Sequence, residues 1–145
     1  MEFGKIVYFN KLVFKDGIID EKENRPCVVM GVYEEKNKQY VLCLPITSSI
    51  YSFNRYPSKY VLIPQTIYNY RKICFAKMDN LFANDVNLVK SSGYILDKVS
   101  FDLLVNKLMT FPDETKLYRI AREILIENGY YEERLVDKEQ KVKKL

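Results

Sequence analysis

Histidine is absent from this 145-residue sequence. Cys27, Cys43 and Cys74 also stand at no short metal-ligand spacing. Zinc and histidine-carboxylate iron sites are therefore poorly served, while carboxylate-bound magnesium stays open, and no cofactor is called for. Each cysteine lies inside a β-branched or aromatic run, which reads as a buried reduced thiol and not as part of a disulfide framework. No apolar run reaches the roughly 18 residues of a membrane-spanning helix. The opening Met1-Glu2-Phe3-Gly4-Lys5 lacks the basic start and apolar stretch of a signal peptide. These absences lead us to expect a soluble cytoplasmic protein with no membrane partner.

Acidic residues are missing from one long stretch. Between Lys36 and Met78 there is no Asp or Glu, yet the stretch holds Lys36, Lys38, Arg55, Lys59, Arg71, Lys72 and Lys77. The formal net charge of +4 is therefore regional, and the remainder of the chain is net acidic. Tyr40, Tyr51, Phe53, Tyr56, Tyr60, Tyr68, Tyr70 and Phe75 are interleaved with those cations. Cations beside aromatic faces suit backbone phosphates and unstacked bases, so single-stranded nucleic acid is one expected partner. An acidic protein is the other, and the two are compatible. Some of these rings will serve only as core.

An apolar fraction of 48% is ample for one compact domain of this length. Gly4 to Phe9 reads as a first strand, followed by a polar loop over Lys15 to Asn24. Cys27 to Tyr33 and Tyr40 to Leu44 read as a hairpin joined by the polar connector Glu34 to Gln39. Their near-continuous apolar character predicts that both faces are covered. Tyr60 to Ile63 and Ile73 to Met78 add strands, with a functional loop expected from Ser48 to Ser58. Beyond Ser92-Gly93 the period becomes helical, with Asp97 as a cap and Phe101, Leu104, Val105 and Leu108 on one face. Pro112 suits the first turn of a second helix striped by Leu117, Ile120, Ala121, Ile124 and Leu125 and closed by Gly129. From Glu132 the chain is a charged tail. Strands first and helices last make a small α+β domain.

Two short segments could carry chemistry. Arg25, fixed by Pro26 at the mouth of a strand, offers a permanently charged fork for phosphate oxygens; the alternative is a surface arginine pairing Glu21 or Glu23. Pro45-Ile46-Thr47-Ser48-Ser49 places three hydroxyls where an apolar run ends. They could hold a phosphate or simply cap the loop. If the two strands form a hairpin, Arg25 and Thr47 meet at its open end.

Gly4-Lys5-Ile6-Val7-Tyr8, Asn24-Arg25-Pro26-Cys27-Val28-Val29 and Pro45-Ile46-Thr47-Ser48-Ser49 resemble the three successive signatures of the MazF/PemK toxin endoribonucleases. The related ToxN-type branch, restrained by a repeat RNA, shows a similar proline-containing Thr-Ser motif. The resemblance implies a small SH3-like antiparallel β-barrel with a terminal helix over residues 1–111; the additional C-terminal helix and charged tail over 112–145 fall outside the typical family domain. It also implies a homodimer, an antitoxin partner for which an acidic protein is preferred over a repeat RNA, and metal-independent cleavage of single-stranded RNA. The catalytic roles it implies fall on Arg25 and Thr47, with Ser48 as a secondary candidate. The chain departs from the family pattern at Lys77-Met78-Asp79-Asn80, so cut-site preference does not carry over.

Cleavage of this kind uses the substrate 2′-hydroxyl as nucleophile. The expectation is that Arg25 stabilises the phosphorane, Thr47 with Ser48 orients a nonbridging oxygen, and Lys5, Tyr8 or Lys77 assists proton transfer. Ser49, Arg55, Lys59, Arg71 and Lys72 complete the expected RNA-binding set. The competing expectation is a non-catalytic barrel that only binds RNA or an antitoxin.

Overall fold

The computed structural model describes residues 2–9, 12–13, 19–20, 25–64 and 73–132. Among the described residues, nine strands and three α-helices give the expected α+β class, with most strands leading and α-helices following them. The expected tail beyond Glu132, most of the loop over 15–24, and Tyr68, Tyr70, Arg71 and Lys72 lie outside the described residues.

The frame is a long hairpin of β4 (Arg25–Glu35) and β5 (Lys38–Thr47). The six-residue connector expected from sequence is instead a two-residue turn, because the strands run on to the pair Glu35 and Lys38. Lys36 and Asn37 both take positive φ, 51° and 65°. That is the turn whose twist matches a hairpin, and Asn tolerates it better than most residues. Halfway along, the register slips by one residue between Val29 and Gly31, so Met30 is a bulge. Before the slip Val28 and Met30 share a face; after it Gly31 and Tyr33 take over that face, and Val32 joins Cys27 and Val29 on the other. Gly31 lies at a close approach of strand and helix. A Cβ would sit 3.1 Å from the Ile124 Cγ2 of the last helix.

β1 (Lys5–Phe9) pairs with β4, and β9 (Lys90–Ile95) pairs with β1, both antiparallel. The other edge of β5 is divided. Its first half, Tyr40 to Cys43, pairs with β8 (Phe82–Asp85), and its end, Ile46 and Thr47, pairs with β7 (Cys74–Lys77). Pro45 stands where the partner changes, which suits a residue with no N–H to give. β6 (Tyr60–Ile63) completes that side by pairing with β7. A separate two-stranded pair joins β2 (Leu12–Val13) to β3 (Ile19–Asp20). Among the described residues, seven strands form one antiparallel sheet whose path runs from β6 to β9 and does not close on itself.

Both faces of this sheet are covered, as the apolar runs predicted. One face carries Ile6, Val28, Met30, Leu42, Leu44 and Ile46 against the helices; the other carries Val7, Phe9, Cys27, Val29, Val41, Cys43 and Phe82. All three cysteines are buried outside any disulfide. Burial, reinforced by neighbouring Cys27, pushes the Cys43 thiol well above its usual range, and burial also raises Cys74. Neither has the thiolate character of a nucleophile.

The first long helix, α2 (Lys98–Thr110), is capped as expected by Asp97, whose carboxylate accepts from the Ser100 N–H at 2.7 Å. The next, α3 (Lys116–Glu127), begins four residues after the expected Pro112. The Asp113 side chain accepts from both the N–H and the hydroxyl of Thr115, and this local turn uses up the segment that sequence assigned to the first helical turn. Its end follows expectation. Gly129 adopts φ 78°, with Gly129 N–H bonding Ile126 O and Tyr130 N–H bonding Leu125 O, a Schellman closure. Arg122 locks the helices together by donating to Leu108 O and Phe111 O at the end of α2. No described helix is long and apolar enough to cross a membrane.

Tyr118 ties α3 to the sheet. Its ring is fully buried, its hydroxyl donates to Met78 O at 2.7 Å, and it accepts from the Leu81 N–H at 3.2 Å. Burial, with smaller contributions from the Asp113 and Asp79 carboxylates, raises its pKa to about 12 against the opposing Leu81 donation. A raised pKa means stability present below the unfolded value near 10 and lost as pH climbs through the folded value. We expect wild type to lose about 2 kcal/mol more than Tyr118→Phe between about pH 10 and about pH 12. Parallel urea titrations across that range check this, and superimposable slopes would refute it.

Candidate functional site

The open end of the β4–β5 hairpin is set by its register. The last recorded pair is Cys27 with Pro45, β4 begins two residues earlier at Arg25, and β5 ends two residues later at Thr47. The backbone therefore delivers both residues to the same end. Arg25 also lies opposite Phe9 on β1. Its side chain lies outside the described residues.

Thr47 is half-buried and faces Phe75 across the β5–β7 pair. Its Oγ1 accepts from the Ser49 N–H at 3.2 Å, so the hydroxyl is oriented from behind by the chain that follows it. Ser48 is exposed. Ser49 takes the capping role. Its Oγ accepts from the Ser52 N–H at 3.2 Å and donates to Ser52 Oγ at 3.0 Å.

That cap starts a helix the sequence reading missed. Residues expected as a loop form α1 (Ile50–Arg55), followed by a 3-10 turn at Pro57–Lys59. Six residues are too few to show a helical period, which is why only a loop was visible. α1 buries none of its residues fully. It is held from one side by Phe53, stacked on Phe75 with centroids 4.5 Å apart and planes at 18°. Thr47, Phe75, Phe53 and α1 thus form one mechanical series.

The same side of the molecule collects most of the described cations of the acid-free stretch. Lys77 lies two residues along β7 from Phe75 and pairs with Tyr60. Its ammonium reaches the Asn80 side-chain oxygen at 3.2 Å once that amide is oriented to satisfy its neighbours. Arg55 Nη1 donates to the Tyr51 hydroxyl at 2.9 Å, and its guanidinium lies 5.4 Å from the Tyr56 ring centre. Lys59 Nζ lies 4.9 Å from the same ring.

Two expected participants are separated from this end. Alternation along β1 puts Tyr8 on the face of Ile6, whereas Thr47 continues the face of Cys43. Lys5 lies four residues along β1 from Phe9, the residue level with Arg25, or on the order of 13 Å along the strand. Neither approaches Thr47 directly. Among the rings, Phe75 is core, Phe53 and Tyr60 are half-buried, Tyr40 stacks on Tyr33, and Tyr51 and Tyr56 are exposed. Among the described residues no group of three His, Cys, Asp or Glu side chains gathers to hold a metal ion.

No protein-family model matches the chain, and no curated protein does. The arrangement itself carries the argument: a hydroxyl pre-oriented at a sheet end, an arginine at the same end, and a cationic, aromatic helix beside them.

Among the described residues, the Phe53–Phe75 stack should anchor α1 to the sheet. In Phe53→Ala we expect faster amide exchange at residue 53 and at Tyr56, whose N–H groups bond Ser49 O and Ser52 O, with exchange in β4 and β5 unchanged. Uniform acceleration in all of these elements would show that α1 is not independently anchored.

Proposed function

We propose that this chain is a metal-independent endoribonuclease of the MazF/PemK toxin kind. The observation that carries the reading is the hairpin register, which ends β5 at Thr47 beside the Arg25 start of β4. In this reading the substrate 2′-hydroxyl attacks its own phosphate, and the Arg25 guanidinium forks onto the oxygens where charge develops. Thr47 already accepts one hydrogen bond, from the Ser49 N–H, so its own O–H proton is left to donate to a nonbridging oxygen. Exposed Ser48 can add a second donor. Lys77, diagonal to Thr47 across β5 and β7, is better placed for proton transfer than Lys5 or Tyr8. The products are a 2′,3′-cyclic phosphate and a 5′-hydroxyl.

The remaining parts of the reading have structural support of their own kind. β5 serves β4 along one edge and β8 then β7 along the other, a division that fits a sheet curling toward an SH3-like barrel. β9 is the last strand on its side of the sheet, and Tyr94 and Ile95 on it are exposed, as are Val99 and Leu103 on α2. Exposed apolar side chains of this sort suit a second copy of the chain. The acid-free stretch suits an acidic antitoxin.

The second reading is a barrel that binds RNA or an antitoxin without cutting. The cap role of Ser49 favours it, since a hydroxyl cluster can exist for the fold alone. The test is incubation of purified protein with a long unstructured RNA, with and without EDTA. Cleavage that persists in EDTA and leaves cyclic-phosphate ends is the expected result, and Arg25→Ala should lower its rate by about two orders of magnitude. Arg25→Lys should not restore it, because an ammonium lacks the fork. Salt-dependent binding with intact RNA would establish the second reading instead.

A further inference from the structure

α1 presents more aromatic surface to solvent than its anchoring requires. Tyr51 is 70% exposed and Tyr56 44%, although apolar burial would draw rings inward. Both are arranged by cations. Arg55 bonds the Tyr51 hydroxyl and leans over Tyr56, and Lys59 lies against the Tyr56 ring. Tyr56 thereby holds two cations in place. Tyr51 accepts a hydrogen bond at its hydroxyl and keeps most of its surface exposed.

We propose that the exposed ring of Tyr51 is a base-stacking platform for single-stranded RNA, with Arg55 and Lys59 meeting the phosphates on either side of the stacked nucleotide. This rests on the RNA-cleaving reading above and assigns it a substrate-positioning subsite. Three observations carry it. The ring is exposed and bonded at its hydroxyl to Arg55. The cations beside it face no carboxylate from their own stretch, because none exists between Lys36 and Met78. The platform is also fixed relative to Thr47, since α1 stacks through Phe53 on Phe75, which pairs with Thr47. A strand seated on Tyr51 is thereby located with respect to the Arg25–Thr47 end. Stacking accepts any base, so the subsite contributes affinity and placement while cut-site choice lies elsewhere.

The sequence contains no tryptophan, so Tyr51→Trp creates a single reporter at the platform. The probe is a non-cleavable 2′-O-methyl oligonucleotide bound to the full chain. Tyr51→Trp should keep wild-type affinity and lose emission on binding, while Tyr51→Ala should bind about tenfold more weakly. Arg55→Gln should reduce the salt dependence of binding by about one phosphate contact. Because Tyr51 is no part of the core, an unchanged circular dichroism spectrum is expected and serves as the folding control. Equal affinity of Tyr51→Ala and wild type, or a bound Tyr51→Trp with unaltered emission, overturns the platform alone. If Tyr51→Ala instead loses binding to an acidic peptide and keeps the oligonucleotide, the surface belongs to a protein partner and the proposal is wrong. If wild type binds no oligonucleotide at all, the RNA reading itself falls.

Discussion

Antiparallel pairing of β4 with β5 is the constraint from which the rest of the structure follows. It extends from a two-residue turn at Lys36-Asn37 to the level of Cys27 and Pro45. It supplies the middle of both apolar clusters and gives β1, β7 and β8 their edges. The helices then cover one face, with α3 approaching so closely that a Cβ at position 31 would press on the Ile124 side chain. The candidate site is a by-product of this geometry, formed where both strands of the pair run out.

Much of this was legible because period and capping are local. Asp97 before Phe101, Leu104, Val105 and Leu108 announces α2 correctly, and Gly129 marks the end of α3 because its positive φ is a demand few residues meet. Tyr60 to Ile63 is a strand as read. What escaped the sequence has identifiable causes. β9 reads Lys-Ser-Ser-Gly-Tyr-Ile, and its side chains are mostly exposed, so it carries no burial signature. β8 is short and half-buried. α1 has no period to display, and the start of α3 was misread because Asp113 folds back on Thr115.

The site was partly visible in the same way. Motif position and hairpin logic bring Arg25 and Thr47 to one end, since antiparallel register is simple counting. Sequence could not separate the three hydroxyls: Ser49 is spent on capping, Thr47 is oriented by Ser49, and Ser48 faces solvent. Nor could it separate the rings, of which Phe75 sinks into the core while Tyr51 stands out. The Phe53–Phe75 stack that links them spans residues far apart in the chain and has no one-dimensional trace.

The bulge at Met30 has a consequence for how the hairpin meets the helices. It puts the two halves of the hairpin out of phase, so that Val28 and Met30 on one side of the slip and Gly31 and Tyr33 on the other face the same cluster, with Gly31 beneath Ile124 of α3. Because Val28, Met30, Leu44 and Ile46 of the open half pack in the same cluster as α2 and α3, the bulge lets both halves of one hairpin present side chains to a single helical layer.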